Sequence, residues 1–126
     1  RIIHIYIYIY EDIKMNKIIN QYHEIQKKTE LQPFTIQYMA LGLGGEVGEV
    51  QNEIKKLQRD DNNILTDSRK NKIITEMGDC LWYMTGICNR LNVTLEDLMV
   101  QNINKLKTFN DWEHTIQHKD SNKDVP

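Results

Sequence analysis

Between Pro33 and Pro126 this chain contains no proline, and apolar residues recur through that stretch at helical spacing. An internal proline removes a backbone hydrogen bond and clashes with the preceding turn, so its absence leaves room for long helices. A first helix is expected over about 12–29, with Ile18, Ile19, Tyr22 and Ile25 on its apolar face. Pro33 interrupts the chain, and Thr35 can then cap a second helix reaching about Arg59. Its stripe is Met39, Leu43, Val47, Val50, Ile54 and Leu57. The polar run DDNNILT (60–66) reads as a connection. Asp67 or Ser68 is expected to cap a third helix carrying Ile73, Ile74, Met77, Leu81, Met84 and Ile87. Asn92 can take the left-handed conformation that ends it. TLED (94–97) is a capping-box variant opening a fourth helix with Leu98, Met99, Ile103 and Leu106. Four helices joined by short loops predict an all-α four-helix bundle.

At 126 residues the chain has room for one domain. The expected divisions are a leader over 1–14, a helical domain over 15–112 and a polar tail over 113–126. RIIHIYIYIY at the start alternates Ile and Tyr, a strand period that does not fit the rest. It reads as a non-native leader or an extension ahead of a start at Met15, and no function is assigned to it. With a net charge of -2 and mixed signs, electrostatics favours neither nucleic acid nor an anionic membrane surface. No run approaches the roughly 20 apolar residues that span a bilayer. Cys80 and Cys88 would stand roughly 12 Å apart on one helix at 1.5 Å rise per residue, too far for a disulfide. Free thiols fit a reducing compartment, so the expected location is cytoplasmic.

Two acidic pairs carry the chemistry. Glu46 and Glu49 lie in GGEVGEV, and Glu76 and Asp79 in TEMGDCLWYM. Each i, i+3 pair projects its carboxylates from one helix face. If the two helices pack antiparallel, four carboxyl groups converge. Four like charges cannot all stay ionised in a confined site, because each raises its neighbours' pKa. A hard divalent cation removes the conflict, and oxygen ligands suit Mg²⁺ or Mn²⁺. The plain alternative is a solvated helix face, where most acids lie. Against it, both pairs border apolar stripes, and Glu46, Glu49, Glu53 and Lys56 line one strip of the second helix. Gly45, Gly48 and Gly78 adjoin the pairs. A mid-helix glycine costs about 1 kcal/mol relative to alanine, so these are expected to let the two backbones approach.

The run GGEVGEVQNEIKK, a spacer, EMGDCLWYMTGICNRLNVTLEDL and then NINKLK resembles the MazG-like all-α nucleoside triphosphate pyrophosphohydrolases over about 39–107. Their E-x-x-E, spacer, E-x-x-D signature reads here as Glu46, Glu49, Glu76 and Asp79. The resemblance implies hydrolysis of a nucleoside or deoxynucleoside triphosphate to the monophosphate and pyrophosphate, with Mg²⁺ (or Mn²⁺) on the four acids. Glu49 is the first choice for the base that takes the proton of the attacking water, and Glu46 and Glu76 are alternatives. Glu53 is expected to support the ligands from behind. Asn102 and Lys105 match an N-x-x-K element that faces the nucleotide in relatives. Lys56 can meet a phosphate or pair with Glu53. Tyr83 occupies a place where some relatives set an aromatic ring near the base, or it packs in the core.

The sequence also departs from relatives, with Asn52 at a frequent acid and Lys107-Thr108-Phe109-Asn110 replacing an Arg-rich segment. Base preference stays open. Family members are dimers or tetramers, which predicts a homo-oligomer. Two other readings stand beside this one. The first is a catalytically silent helical adaptor. The second is a related enzyme acting on another diphosphate metabolite such as phosphoribosyl-ATP.

Overall fold

The computed structural model describes residues 17–108, and every regular element among them is helical. Helix α1 covers residues 17–29. It is followed by α2 (Ile36–Asp60), α3 (Asp67–Arg90) and α4 (Leu95–Lys107). The strand-like run at the start, the proposed start at Met15 and the polar tail lie outside the described residues. The all-α class and the order of elements agree with the sequence reading.

Local chemistry sets the helix ends. Thr35 is extended, with φ -74 and ψ 160, and its Oγ1 accepts the Tyr38 N–H at 3.1 Å. The third helix is capped by Thr66, not by Asp67 or Ser68 as expected. Thr66 has the extended backbone of a cap (φ -76, ψ 159), and its Oγ1 accepts the Arg69 N–H at 3.1 Å. Asp67 is instead the first helical residue, where its charge complements the helix dipole. The α2–α3 connection turns through Asn62 and Asn63 at φ 53 and 60, a left-handed geometry that asparagine tolerates better than most residues. Asn92 is left-handed too, at φ 53. The Val93 N–H reaches back to the Cys88 carbonyl at 3.1 Å, closing α3 as a Schellman-type cap.

α2 and α3 pack along one another as an antiparallel hairpin. The register is visible in two close approaches. A β-carbon at Gly86 would stand 3.0 Å from the Met39 sulfur, and one at Gly42 would overlap the Tyr83 ring. Moving from Met39 to Gly42 advances three residues on α2, while the partners step back three residues on α3.

α1 meets α3 through polar groups, while of its expected apolar stripe only Ile19 and Tyr22 are half-buried. His23 (6% exposed) and Gln26 (0%) are buried. His23 Nδ1 lies 2.6 Å from Asn89 Oδ1, and Asn89 Nδ2 donates to Gln26 Oε1 at 2.8 Å. Ile18 and Ile25, expected on the covered face, are 62% and 53% exposed. Arg90 then ties the end of α1 to α3, donating to both Glu30 carboxylate oxygens at 2.8 Å and to the Phe34 carbonyl at 2.8 and 2.7 Å. On α2 and α3, Val47, Ile54, Ile74 and Met77 are likewise exposed in the single chain.

The chain divides between Thr94 and Leu95 into two compact units. In the second, α4 has Glu96 and Asp97 in its first turn and Lys105 and Lys107 in its last, the charge order a helix dipole favours.

Candidate functional site

The register of the α2–α3 hairpin predicts where the acids meet. Continuing from Gly42 and Tyr83, four more residues along α2 reach Glu46, and four back along α3 reach Asp79. Three further steps bring Glu49 level with Glu76. The structure assembles three of these four. One carboxylate oxygen from each of Glu46, Glu76 and Asp79 lies within 4.8 Å of the others. Glu46 and Glu76 are half-buried and Asp79 is exposed, so the trio sits at the rim of the hairpin with access from solvent. Glu49 is exposed and stands outside that trio.

The trio is electrostatically strained. Burial first, and then the charges of Asp79, Glu76 and Glu49, push the Glu46 carboxyl above its usual range. Glu49 thus acts on the cluster through its charge. Three hard oxygen donors in one small space, one of them resisting ionisation, suit a divalent cation that neutralises them. The donor set fits Mg²⁺ or Mn²⁺.

Aromatic rings border the acids. Tyr83 covers Gly42, and its hydroxyl is pushed up by burial and then by Tyr38, Glu46 and Asp79. Tyr22 on α1 is raised by burial and then by Asp79. Phe34 and Tyr38 stack with centroids 4.0 Å apart and planes 7° from parallel. Trp82 meets the Tyr83 ring edge-on at 4.9 Å and donates its indole N–H to Thr29 Oγ1 at 2.8 Å, a packing role. Sequence reading does not mark Tyr22 as a neighbour of the acids. Nothing in local spacing marks it, since α1 reaches Asp79 only through the fold.

The glycine expectation needs correcting. Among the described residues no atom lies within 4 Å of where a β-carbon would stand at Gly45, Gly48 or Gly78. The glycines that admit a neighbour are Gly42 and Gly86, the latter with Gln26 Nε2 at 2.8 Å. Close approach is needed where a ring or a long side chain crosses the hairpin. The acids, reaching outward at its rim, do not require it.

Lys56 Nζ binds Glu53 Oε1 at 2.8 Å, the pairing the sequence offered as one alternative. The other Glu53 oxygen accepts from Arg69 at 2.5 Å. Lys56 first and then Arg69 hold the Glu53 carboxyl below its usual range. Sequence reading missed Arg69, whose partners lie 8 and 16 residues away. Cys80 is half-buried, and burial, then Glu46 and Asp79, raise its thiol, which keeps it protonated and unsuited to nucleophilic attack. Asn102 and Lys105 share one face of α4 and line a concave surface with Leu98, Met99 and Gln101. Among the described residues no helix is long and apolar enough to cross a membrane.

The family model for the MazG nucleotide pyrophosphohydrolase domain matches residues 34–112. The chain is also 36% identical over 76 residues to the gene 37 protein of Mycobacterium phage L5, covering 60% of this chain and 67% of that protein. No solved structure gives a significant match.

Proposed function

The chain belongs to the MazG nucleotide pyrophosphohydrolase domain family, and on that premise we propose that it hydrolyses a nucleoside or deoxynucleoside triphosphate to the monophosphate and pyrophosphate. The observation that carries this reading is the meeting of Glu46, Glu76 and Asp79 within 4.8 Å. These three carboxylates would hold Mg²⁺, with Mn²⁺ as a substitute. The ion, when bound, supplies positive charge to the phosphate oxygens and to the developing charge on the leaving group.

The remaining work falls to the chain's own side chains. Glu49, exposed and outside the trio, is the residue we assign to take a proton from the attacking water. The water oxygen bonds to the α-phosphorus, the bond to the bridging oxygen breaks, and pyrophosphate leaves. Tyr83, whose ring lies against Gly42, is assigned as a contact of the nucleotide base on the family resemblance alone. Asn102 and Lys105 enter as nucleotide contacts on the strength of the family resemblance alone. A second copy of the chain would cover exposed apolar residues such as Ile74 and Met77, which supports a homodimer or homotetramer. Cys80 and Cys88 form no disulfide with one another, which supports a reducing, cytoplasmic setting.

The test is incubation of the full chain with a panel of NTPs and dNTPs and Mg²⁺, separating pyrophosphate from orthophosphate. Pyrophosphate and monophosphate from at least one nucleotide are expected. Glu49→Gln should lower kcat about a hundredfold or more, the range for loss of a general base, while Mn²⁺ binding persists. A folded wild type that releases no pyrophosphate from any nucleotide sinks the reading.

A further inference from the structure

We propose that Arg69 is a positioning residue for the acidic centre, fixing the register of α3 against α2 so that Glu46, Glu76 and Asp79 meet. This rests on the metal-centre reading above and concerns residues that do not touch the centre.

Arg69 lies in the first turn of α3, and its backbone N–H is already bound by the Thr66 cap. Its guanidinium donates from Nε to Asp61 Oδ2 at 2.6 Å and from Nη1 to Glu53 Oε2 at 2.5 Å. The Arg69 and Glu53 side chains are only 10% and 9% exposed, and Asp61 is 20% exposed. One planar cation therefore joins the last turns of α2, the connection and the first turn of α3. Its fork has a fixed geometry, so it holds both partners in direction as well as distance.

The placement along the two helices matters. Glu53 follows Glu46 by seven residues on α2, and Arg69 precedes Glu76 by seven on α3. The clamp thus lies two turns, about 10.5 Å, from the nearest carboxylate of the centre on each rod. A slip of α3 by one turn would move its residues about 5.4 Å along α2. That exceeds the 4.8 Å within which the three oxygens now lie. The carboxylates also repel one another, which favours sliding or splaying of the hairpin. A buried ionic clamp at the closed end opposes that motion, whereas apolar contacts along the seam tolerate sliding better.

The experiment measures Mn²⁺ affinity of the full-length chain by electron paramagnetic resonance, with circular dichroism for helicity, well below the melting temperature. Arg69→Met is expected to keep its helices and to bind Mn²⁺ about tenfold more weakly, the low end for loss of an outer-shell support. Arg69→Lys, which keeps the charge but not the fork, should fall between. A folded R69M with wild-type Mn²⁺ affinity overturns the proposal, because a purely structural role would lower the melting temperature without weakening metal binding by folded protein. If R69M does not fold, Glu53→Gln decides the matter in the same way: weaker Mn²⁺ binding is expected, and wild-type affinity overturns it. Wild type that binds no Mn²⁺ overturns the metal centre, and the clamp's role with it. Wild-type binding alongside an unchanged variant overturns the clamp alone.

Discussion

The ring of Tyr83 on α3 lies over Gly42 on α2, so close that a β-carbon at Gly42 would overlap three ring atoms. This contact sits four residues before Glu46 on one helix and four after Asp79 on the other. It is the nearest fixed point of the hairpin to the acids, just as Arg69 and Glu53 fix its far end.

Gly42→Ala is therefore expected to destabilise the fold, against the usual preference of a helix for alanine. The helix gains about 1 kcal/mol from the substitution, but moving an aromatic ring in packed surroundings costs about 1–3 kcal/mol. Urea unfolding should show a net loss. Gly45→Ala, where no neighbour stands within 4 Å, should instead be neutral or stabilising. Equal effects at the two positions would contradict the packing described.

Mg²⁺ is expected to raise the melting temperature of the wild type and leave those of Glu46→Gln and Asp79→Asn nearly unchanged. Ligand at a hundredfold excess over its dissociation constant contributes about 2.7 kcal/mol to stability. Both variants should lose pyrophosphate release while retaining helicity by circular dichroism. The comparison is made in differential scanning fluorimetry with and without EDTA. A full Mg²⁺ shift in either variant would place the ion elsewhere.

The Glu30–Arg90 pair gives the fold an acid limit. Arg90 first among its neighbours holds the Glu30 carboxyl below the ordinary value of 4.5, so this interaction adds stability above that value. The contribution disappears as pH falls through the depressed folded value. Glu30→Gln should flatten this part of the acid-unfolding profile. At neutral pH it should cost about 1–3 kcal/mol, because it loses a charged hydrogen-bond partner for Arg90. Melting temperatures of both proteins from pH 7 to pH 3 test the prediction, and parallel curves would refute it.

Thr35 and Asn92 were readable in the sequence because a cap and a left-handed helix end depend on a few adjacent residues. The same locality explains the error of one residue at the third helix. Threonine, aspartate and serine stand in a row at 66–68, and each can accept a cap hydrogen bond, so only the backbone angles choose Thr66. The acidic pairs were legible too, since i, i+3 spacing places two carboxylates on one face whatever the helix packs against.

Periodicity along the chain determined the helices, their order and the pairing of the acids on each of two rods, because all of these follow from interactions within one or two turns. Tertiary structure alone decided which face of each rod meets another and at what register. That choice brought together Glu46, Glu76 and Asp79, set Arg69 between Glu53 and Asp61, and joined α1 to α3 through His23, Gln26 and Asn89 while leaving Ile18 and Ile25 exposed. Such contacts join residues far apart in the chain, and their energies depend on shape and charge complementarity that no single segment carries.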